Sequence, residues 1–398
     1  MFEKFVLRKS PDGPALTAGD LAEALLFYQN VHVVLDYGSL LGIARAIGMD
    51  RLFDLLNRPG VSAVYCEETL ATRTHRSGLL DKHEFVAITV VGNQVEGTFR
   101  SRTERIAFML RNCGVGAPQA GKFAEKFRKK VPIMKFSDDS FVPGGVIESA
   151  KTDLQDASFV REAVRTILRH ELGDTSHVGN FAFDVIIVPD GFHVFTDLDF
   201  STINNERHLL SPGLDDLTPA HLIGSVLEAR GDLVLAAHYG GDFQTSEATS
   251  RVIRLRYDEC LRRASIHRNE IDSFHDAIVP DMPTIKQVID SGARSFDEFL
   301  KLRDQAWRFR GWLRGINPDQ KLIAAYLQEI MREQWVSTLP VRVARFVLGK
   351  ALDVAVPILG EVVSGIDALL LDKVAEGWRP NHFIDRKLVK FLDENHAY

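Results

Sequence analysis

The sequence has few cysteines and little excess charge. Its 398 residues include only three cysteines, Cys66, Cys113 and Cys260, which lie far apart and show no CxxC spacing. Three thiols cannot all pair, and this usage predicts inert cysteines in a reducing, cytoplasmic compartment. The formal net charge of -6, from 48 basic and 54 acidic residues, provides no overall attraction to nucleic acid or to anionic lipid.

Long apolar runs are also missing. No stretch reaches the roughly 18 consecutive apolar residues expected of a membrane span, and the first residues lack the apolar core of a secretory signal. The most apolar segment, 341–371, is interrupted by Lys350, Asp353, Glu361 and Asp367. Membrane association is therefore not expected. The 45% hydrophobic content, with 25 phenylalanines, is typical of a folded chain with a large core.

Strand-like and helix-like patterns divide the chain into two parts. Residues 31–35 and 61–66 have buried-strand patterns, and the apolar spacing over 40–56 between them predicts a helix, which together indicate a βαβ unit. After about residue 215 strand patterns nearly disappear. We therefore predict an α+β protein, with a mixed α/β domain over 1–211 and a mostly helical domain over 212–398. The two domains can share one core.

The clearest local pattern is a β-hairpin around the Asp-Gly pair at 190–191, which is typical of a two-residue type I′ turn. In the register that this turn predicts, Asp184 lies opposite Asp197. Asp199 and His193 then lie on the same face. Like charges that oppose each other in a sheet are destabilising, so three carboxylates on one face need a cause.

Four causes would account for this carboxylate face. One is a divalent cation, Mg²⁺, Mn²⁺ or Ca²⁺, held by Asp184, Asp197 and Asp199 through oxygen ligands. The others are a proton shared between two carboxylates, a basic residue from elsewhere in the chain, and simple solvation. With Mg²⁺ or Mn²⁺, the hairpin would be the site of a metal-dependent hydrolase of phosphate esters, nucleotides or nucleic acid. His193 would be its general base.

A second acidic group follows the strands of the βαβ unit. Asp36 comes directly after the first of these strands, and Glu67 and Glu68 come after the next. Ligands of open α/β sheets bind outside the carboxyl ends of strands, so these three residues form an alternative candidate site. A polar loop at each strand end is the other interpretation.

Arginine and tryptophan alternate in one segment of the helical part. The residues concerned are Arg303, Trp307, Arg308, Arg310, Trp312 and Arg314. Such a combination can hold single-stranded nucleic acid by stacking and by phosphate contacts. A packed amphipathic helix with a basic edge is the alternative.

No catalytic motif such as a P-loop or HExxH is present in the sequence. Since the helical C-terminal part is also rich in apolar residues, we expect an interaction or effector protein that acts through this part. It would bind a protein partner or form a homo-oligomer. The metal-dependent hydrolase built on the aspartate hairpin is the alternative hypothesis.

Overall fold

The architecture comes from a computed structural model. It describes residues 2–9, 15–77, 80–89, 101–112, 114–137, 144–173, 179–243, 247–279, 281–316, 322, 324–326 and 379–393. Helices and two β-sheets are both present in these residues, which confirms the predicted α+β class. The apolar segment 341–371 lies outside the described residues. None of the helices in the described residues combines the length and the apolar character that a membrane span requires.

The chain forms two compact units, each discontinuous in sequence. Unit one consists of Met1–Lys4, Thr17–Val31 and Ser265–Tyr398, and unit two of Phe5–Leu16 and His32–Ala264. The predicted division after residue 211 stays a prediction. In the folded chain, residues 212 to 264 belong to the same compact unit as the α/β part.

A five-stranded sheet is the centre of the α/β part. Its strands are β1 (Lys4–Arg8), β2 (Asn30–Leu35), β3 (Val61–Cys66), β6 (Ile133–Met134) and β9 (Asp242–Phe243). Their spatial order is β6-β3-β2-β1-β9, with parallel pairing of β3 with β6 and of β1 with β9. In β2 all residues after the first are buried, as expected for a strand covered on both faces.

A four-stranded antiparallel sheet follows β3 in the sequence. It contains β4 (Glu68–Ser77), β5 (Leu80–Thr89), β7 (Phe183–Val188) and β8 (Gly191–Thr196) in the order β4-β5-β8-β7. One face buries Phe85, Phe183 and Phe192, whereas the other exposes Ile186 and Phe195. This alternation is typical of a sheet with one solvated face.

Helices complete unit two. They are α2 (Tyr37–Ile47), α3 (Met49–Leu56), α4 (Arg102–Asn112), α5 (Ala117–Lys130), α6 (Gly145–Leu154), α7 (Ala157–Leu172), α8 (Phe200–Leu210), α9 (Pro219–Tyr239) and the first part of α10 (Glu247–Ile278). The single helix predicted over 40–56 is two helices, α2 and α3. They are separated at Gly48, whose φ of 82° is left-handed and ends α2.

Apart from the first residues of β1 and β2, the regular secondary structure of unit one is helical in its described residues. It contains α1 (Ala18–Phe27), the end of α10, α11 (Ile285–Asp290), α12 (Phe296–Gln305), α13 (Trp307–Gly315), α14 (Pro380–Phe383), a π-helical turn (Ile384–Leu388) and α15 (Val389–Leu392). Capping boxes begin α1, α11 and α12 at Thr17, Thr284 and Ser295, and each satisfies two otherwise free backbone donors. Phe309 of α13 is buried and stacks on Phe383, with 4.9 Å between ring centroids.

Candidate functional site

The predicted hairpin forms, but its predicted register is wrong. Pro189 and Asp190 make the turn, which places Asp184 opposite Phe195 and not opposite Asp197. The sequence pattern favours a turn one residue later, at Asp190-Gly191. As a result, no two carboxylates of the hairpin face each other directly across the strand pair.

Close approach of a neighbouring strand explains why Gly191 belongs to β8 and not to the turn. A Cβ atom at Gly191 would lie 2.2 Å from the carbonyl oxygen of His83 in β5. Real Cβ atoms do not approach an oxygen so closely, so only glycine fits where β5 passes. This contact involves residues over 100 positions apart, and the sequence of the hairpin alone does not show it.

Two of the three aspartates have structural partners within the chain. Asp197 accepts the backbone N–H of Ala182 at 2.7 Å. Asp199 is the N-cap of α8 and accepts the hydroxyl of Thr202 at 2.7 Å and two backbone N–H groups. The hydrogen bond from the Thr202 hydroxyl contributes most to lowering the pKa of Asp199, and the backbone hydrogen bonds lower this pKa further.

The hairpin therefore lacks the opposed carboxylates on which the predicted metal centre depends. Among the residues that the structure describes, no group of three His, Cys, Asp or Glu side chains is placed to hold a metal ion. The predicted general base His193 has its Nδ1 atom 3.0 Å from the carbonyl oxygen of Asp81 in the neighbouring strand. The imidazole of His193 thus contacts the backbone of β5.

We expect Mg²⁺ and Mn²⁺ to have the same effect on wild-type protein and on Asp197→Asn, because asparagine keeps an oxygen that can accept the Ala182 N–H. Thermal unfolding with EDTA, Mg²⁺ or Mn²⁺ measures this, since a ligand of the folded state raises the unfolding temperature. A metal-dependent stabilisation that is present in the wild type and absent from Asp197→Asn would show that Asp197 is a metal ligand and not only the acceptor of the Ala182 N–H.

The second predicted group lies near a cavity at the carboxyl edge of the five-stranded sheet. Asp36 and Glu68 both line this cavity, whose volume is about 270 Å³. We call it the carboxyl-edge cavity. Its size is slightly below the roughly 300–1,000 Å³ of pockets for drug-sized ligands. It therefore suits a small ligand.

The topology of the sheet explains the position of this cavity. Arg8 and Lys9 come from the end of β1, Asp36 directly follows β2, and Glu68 follows β3, so these strands end at one edge. Strands β1, β2, β3 and β6 lie side by side in sequence order, whereas β9 joins the other side of β1. The cavity lies at the ends of β1, β2 and β3, and ligands of open α/β sheets bind outside the carboxyl ends of strands.

Glu67, the third predicted residue of this group, does not line the cavity. Its carboxylate is buried and bound by the guanidinium of Arg105, with Nη2 3.0 Å from Oε2 and 3.2 Å from Oε1. An ion pair in which the guanidinium contacts both carboxylate oxygens positions α4 against the end of β3. The structure thus brings together two of the three predicted residues.

Two basic residues of the cavity are not among the residues predicted from the sequence. The guanidinium of Arg8 pairs with buried Asp232 and lies 5.1 Å above the ring of Phe136. Lys9, the next residue, also lines the cavity and is half-buried. The signal available in the sequence is a pair of adjacent basic residues at the end of the first short strand.

Two further contacts define the chemistry of the cavity wall. Ser137 donates its backbone N–H and its hydroxyl to the Glu68 carboxylate at 3.0 and 2.8 Å. Burial raises the pKa of the Cys66 thiol to about 12. Since the thiolate is the nucleophilic form, Cys66 does not serve as a nucleophile near neutral pH. The groups of the cavity wall that can bind a polar ligand are therefore its carboxylates and its basic side chains.

The arginine and tryptophan segment is largely internal to unit one. Arg303 and Trp312 are buried, and Arg310 donates to the backbone carbonyls of Tyr28 and Gln29 at 2.7 and 3.0 Å. Burial lowers the pKa of Arg310 to about 10.

The exposed remainder of this segment is small. Trp307 is 62% exposed, the guanidinium of Arg308 lies 4.9 Å from its ring, and Arg314 is exposed. The packed-helix interpretation accounts for Arg303, Arg310 and Trp312, whose side chains are not presented for base stacking. Contact with nucleic acid through this segment stays a prediction for Trp307, Arg308 and Arg314 alone.

The assignment of a function depends on the residues of the chain itself. The searches of family models, of curated proteins and of solved structures give no match to this chain.

Proposed function

We propose that this protein binds a small phosphate ester in the carboxyl-edge cavity. The observation that supports the proposal is the placement of Arg8 and Lys9 with three carboxylates, Asp36, Glu68 and Glu228, around one cavity at the sheet edge. Cations beside carboxylates suit a ligand with an anionic group and hydroxyl groups. The size of the cavity favours a compact ester, such as a sugar phosphate, over a nucleotide.

Lys9 is the expected phosphate ligand. Arg8 is engaged by Asp232, whereas the ammonium group of Lys9 has no hydrogen bond or ion pair with any residue that the structure describes. A lysine ammonium binds phosphate as a compact point charge with three donors. A half-buried cation without a partner in the described part of the chain is well suited to an anionic ligand.

Asp36 is the expected partner of a ligand hydroxyl. One oxygen of its carboxylate accepts the N–H of Ser39 at 2.7 Å and caps α2. The other oxygen is left to accept a hydrogen bond from the ligand. Glu68, held by Ser137, shapes the wall beside it. The hydrolase predicted from the sequence would use the aspartate hairpin, whereas a hydrolase built on this cavity would use Asp36 as its general base.

We expect Lys9→Gln to weaken the binding of a sugar phosphate about tenfold or more, because a hydrogen bond to a charged group contributes about 1.5–3 kcal/mol. Isothermal titration calorimetry with ribose phosphate measures the dissociation constant, and release of inorganic phosphate reports hydrolysis. Asp36→Asn is the second variant, since asparagine is as good an N-cap as aspartate and removes only the charge.

Lys387→Gln is the matched control, because Lys387 is exposed and does not line the cavity. It removes the same charge and should leave the dissociation constant unchanged. Equal weakening by Lys9→Gln and Lys387→Gln, or no binding of any phosphate ester to the wild type, would contradict the proposal.

Partner binding or self-association through the helical C-terminal part stays a prediction from the sequence. The apolar segment 341–371, on which that hypothesis depends, lies outside the described residues.

A further inference from the structure

Helix α5 has one buried apolar face and an opposite face rich in lysine. Its buried residues are Ala120, Phe123, Ala124 and Phe127, which follow the spacing of one helical side. On the exposed side, Lys122, Lys126 and Lys129 recur at the i, i+4, i+7 positions. Residues with this spacing are neighbours on a helix surface. We call these three residues the α5 lysine row.

The charge of α5 is opposite in sign to that of the whole chain. The helix contains five basic residues and one acidic residue, whereas the chain has a formal net charge of -6. The single acidic residue, Glu125, is 3.4 Å from Arg128 and not paired with the lysine row. Exposed basic charge is therefore concentrated on one helix face of a protein that is acidic overall.

The ammonium groups of the α5 lysine row have no anionic partner among the residues that the structure describes. Lys122 and Lys129 have no ion pair or hydrogen bond with any residue that the structure describes. The ammonium group of Lys126 lies 6.0 Å from the ring centroid of Phe53, a contact that leaves its N–H groups free to bind an anion.

Interaction with the helix dipole accounts for only part of this basic charge. Cations stabilise the last turn of a helix, and Arg128, Lys129 and Lys130 lie in that turn of α5. Lys122 and Lys126 lie earlier, where the dipole has little effect. Their position on the same face as Lys129 needs a different explanation.

We propose that the α5 lysine row binds the phosphate backbone of nucleic acid. From Lys122 to Lys129 the helix rises about 10 Å, and a strand of duplex DNA presents a phosphate about every 3.4 Å along its axis. Three ammonium groups therefore face about three phosphates. Lysines that contact phosphates do not distinguish one base from another, so the binding is independent of the nucleotide sequence.

An anionic membrane is a poorer partner for the same charge. An amphipathic helix that lies on a membrane inserts its apolar face among the lipids. The apolar face of α5 is buried within unit two and is not available for insertion. Polyanion binding through the exposed lysines alone is what the geometry supports.

The proposal is tested by replacing the lysine row with glutamine, as Lys122→Gln, Lys126→Gln and Lys129→Gln together. Fluorescence anisotropy measures the affinity of the full chain for a short labelled duplex DNA between about 50 mM and 200 mM salt. For the wild type, the affinity should fall steeply with salt. In the triple variant, the slope of log affinity against log salt should decrease in magnitude by about 2.7, because each phosphate contact contributes about 0.9.

The control variant combines Lys301→Gln, Lys387→Gln and Lys390→Gln, three exposed lysines of unit one that cause the same change in net charge. It should retain the wild-type salt slope, and circular dichroism should show that both variants are folded. The proposal is overturned if the wild type does not bind the duplex, or if both triple variants lose the same slope. Binding to phosphatidylserine vesicles without binding to DNA also overturns it.

Discussion

Asp232→Ala is expected to lower the free energy of unfolding by about 3–5 kcal/mol, because it removes one partner of a buried ion pair. The carboxylate of Asp232 is only 2% exposed and binds the guanidinium of Arg8. Without it, the positive charge of Arg8 remains largely buried in the wall of the carboxyl-edge cavity. Urea unfolding monitored by circular dichroism measures the loss.

A surface ion pair provides the control for Asp232→Ala. Glu162 pairs with Arg165 on α7, and its side chain is exposed. Glu162→Ala should change the free energy of unfolding by less than about 1 kcal/mol, since exposed pairs contribute little. Similar losses for the two variants would show that the Arg8–Asp232 pair is not buried as described.

Replacement of both members of the buried pair distinguishes lost charge from lost packing. The double variant Arg8→Met with Asp232→Leu contains no unpaired charge. It should therefore recover most of the stability that Asp232→Ala loses, since apolar replacements of buried pairs are often neutral or stabilising. Failure to recover would assign the loss to packing around Asp232 and not to the isolated charge of Arg8.

Phe192→Ala is expected to destabilise the protein by about 3–5 kcal/mol, the usual range for removing a buried aromatic ring. Phe192 is fully buried, and its ring centroid lies 5.1 Å from that of Phe85. It pairs with Ile187 in the hairpin and with His83 in β5, so its ring packs where three strands meet. Urea unfolding measures this effect as well.

The same strand contains a matched control. Phe195 is three residues further along β8, points to the opposite face of the sheet and is 39% exposed. Phe195→Ala should cost only about 1 kcal/mol, because a large part of the ring remains in water and its removal leaves no enclosed cavity. A larger loss for Phe195→Ala than for Phe192→Ala would mean that the faces of the hairpin are reversed.

Part of the candidate site could be predicted from local sequence. The apolar runs at 31–35 and 61–66 identify two buried strands, and Asp36 and Glu68 are in the cavity because they follow those strands. The rule that ligands bind at the carboxyl ends of strands needs only the strand order in the chain. It therefore indicates the edge of the sheet at which the structure has a cavity.

Other features depend on interactions that local patterns do not record. Strand β4 contains mainly polar residues, among them exposed Arg73 and His75, and hydrogen bonding to β5 makes it a strand despite the absence of an apolar pattern. Asp199 is equally ambiguous in sequence. An aspartate after a strand suits a metal ligand as well as an N-cap, and only the start of α8 shows that it caps a helix.

The sequence by itself determined the α+β class, the buried strands and the hairpin, because strand and helix periodicities are local and result from which side chains leave water. Only the tertiary structure decided the register of the hairpin, the pairing of Glu67 with Arg105 and the placement of Arg8 and Lys9 beside Asp36. These features arise from close packing between distant segments. The approach of the His83 backbone to Gly191 is such a case, and it overrode the turn that the Asp-Gly pair favours.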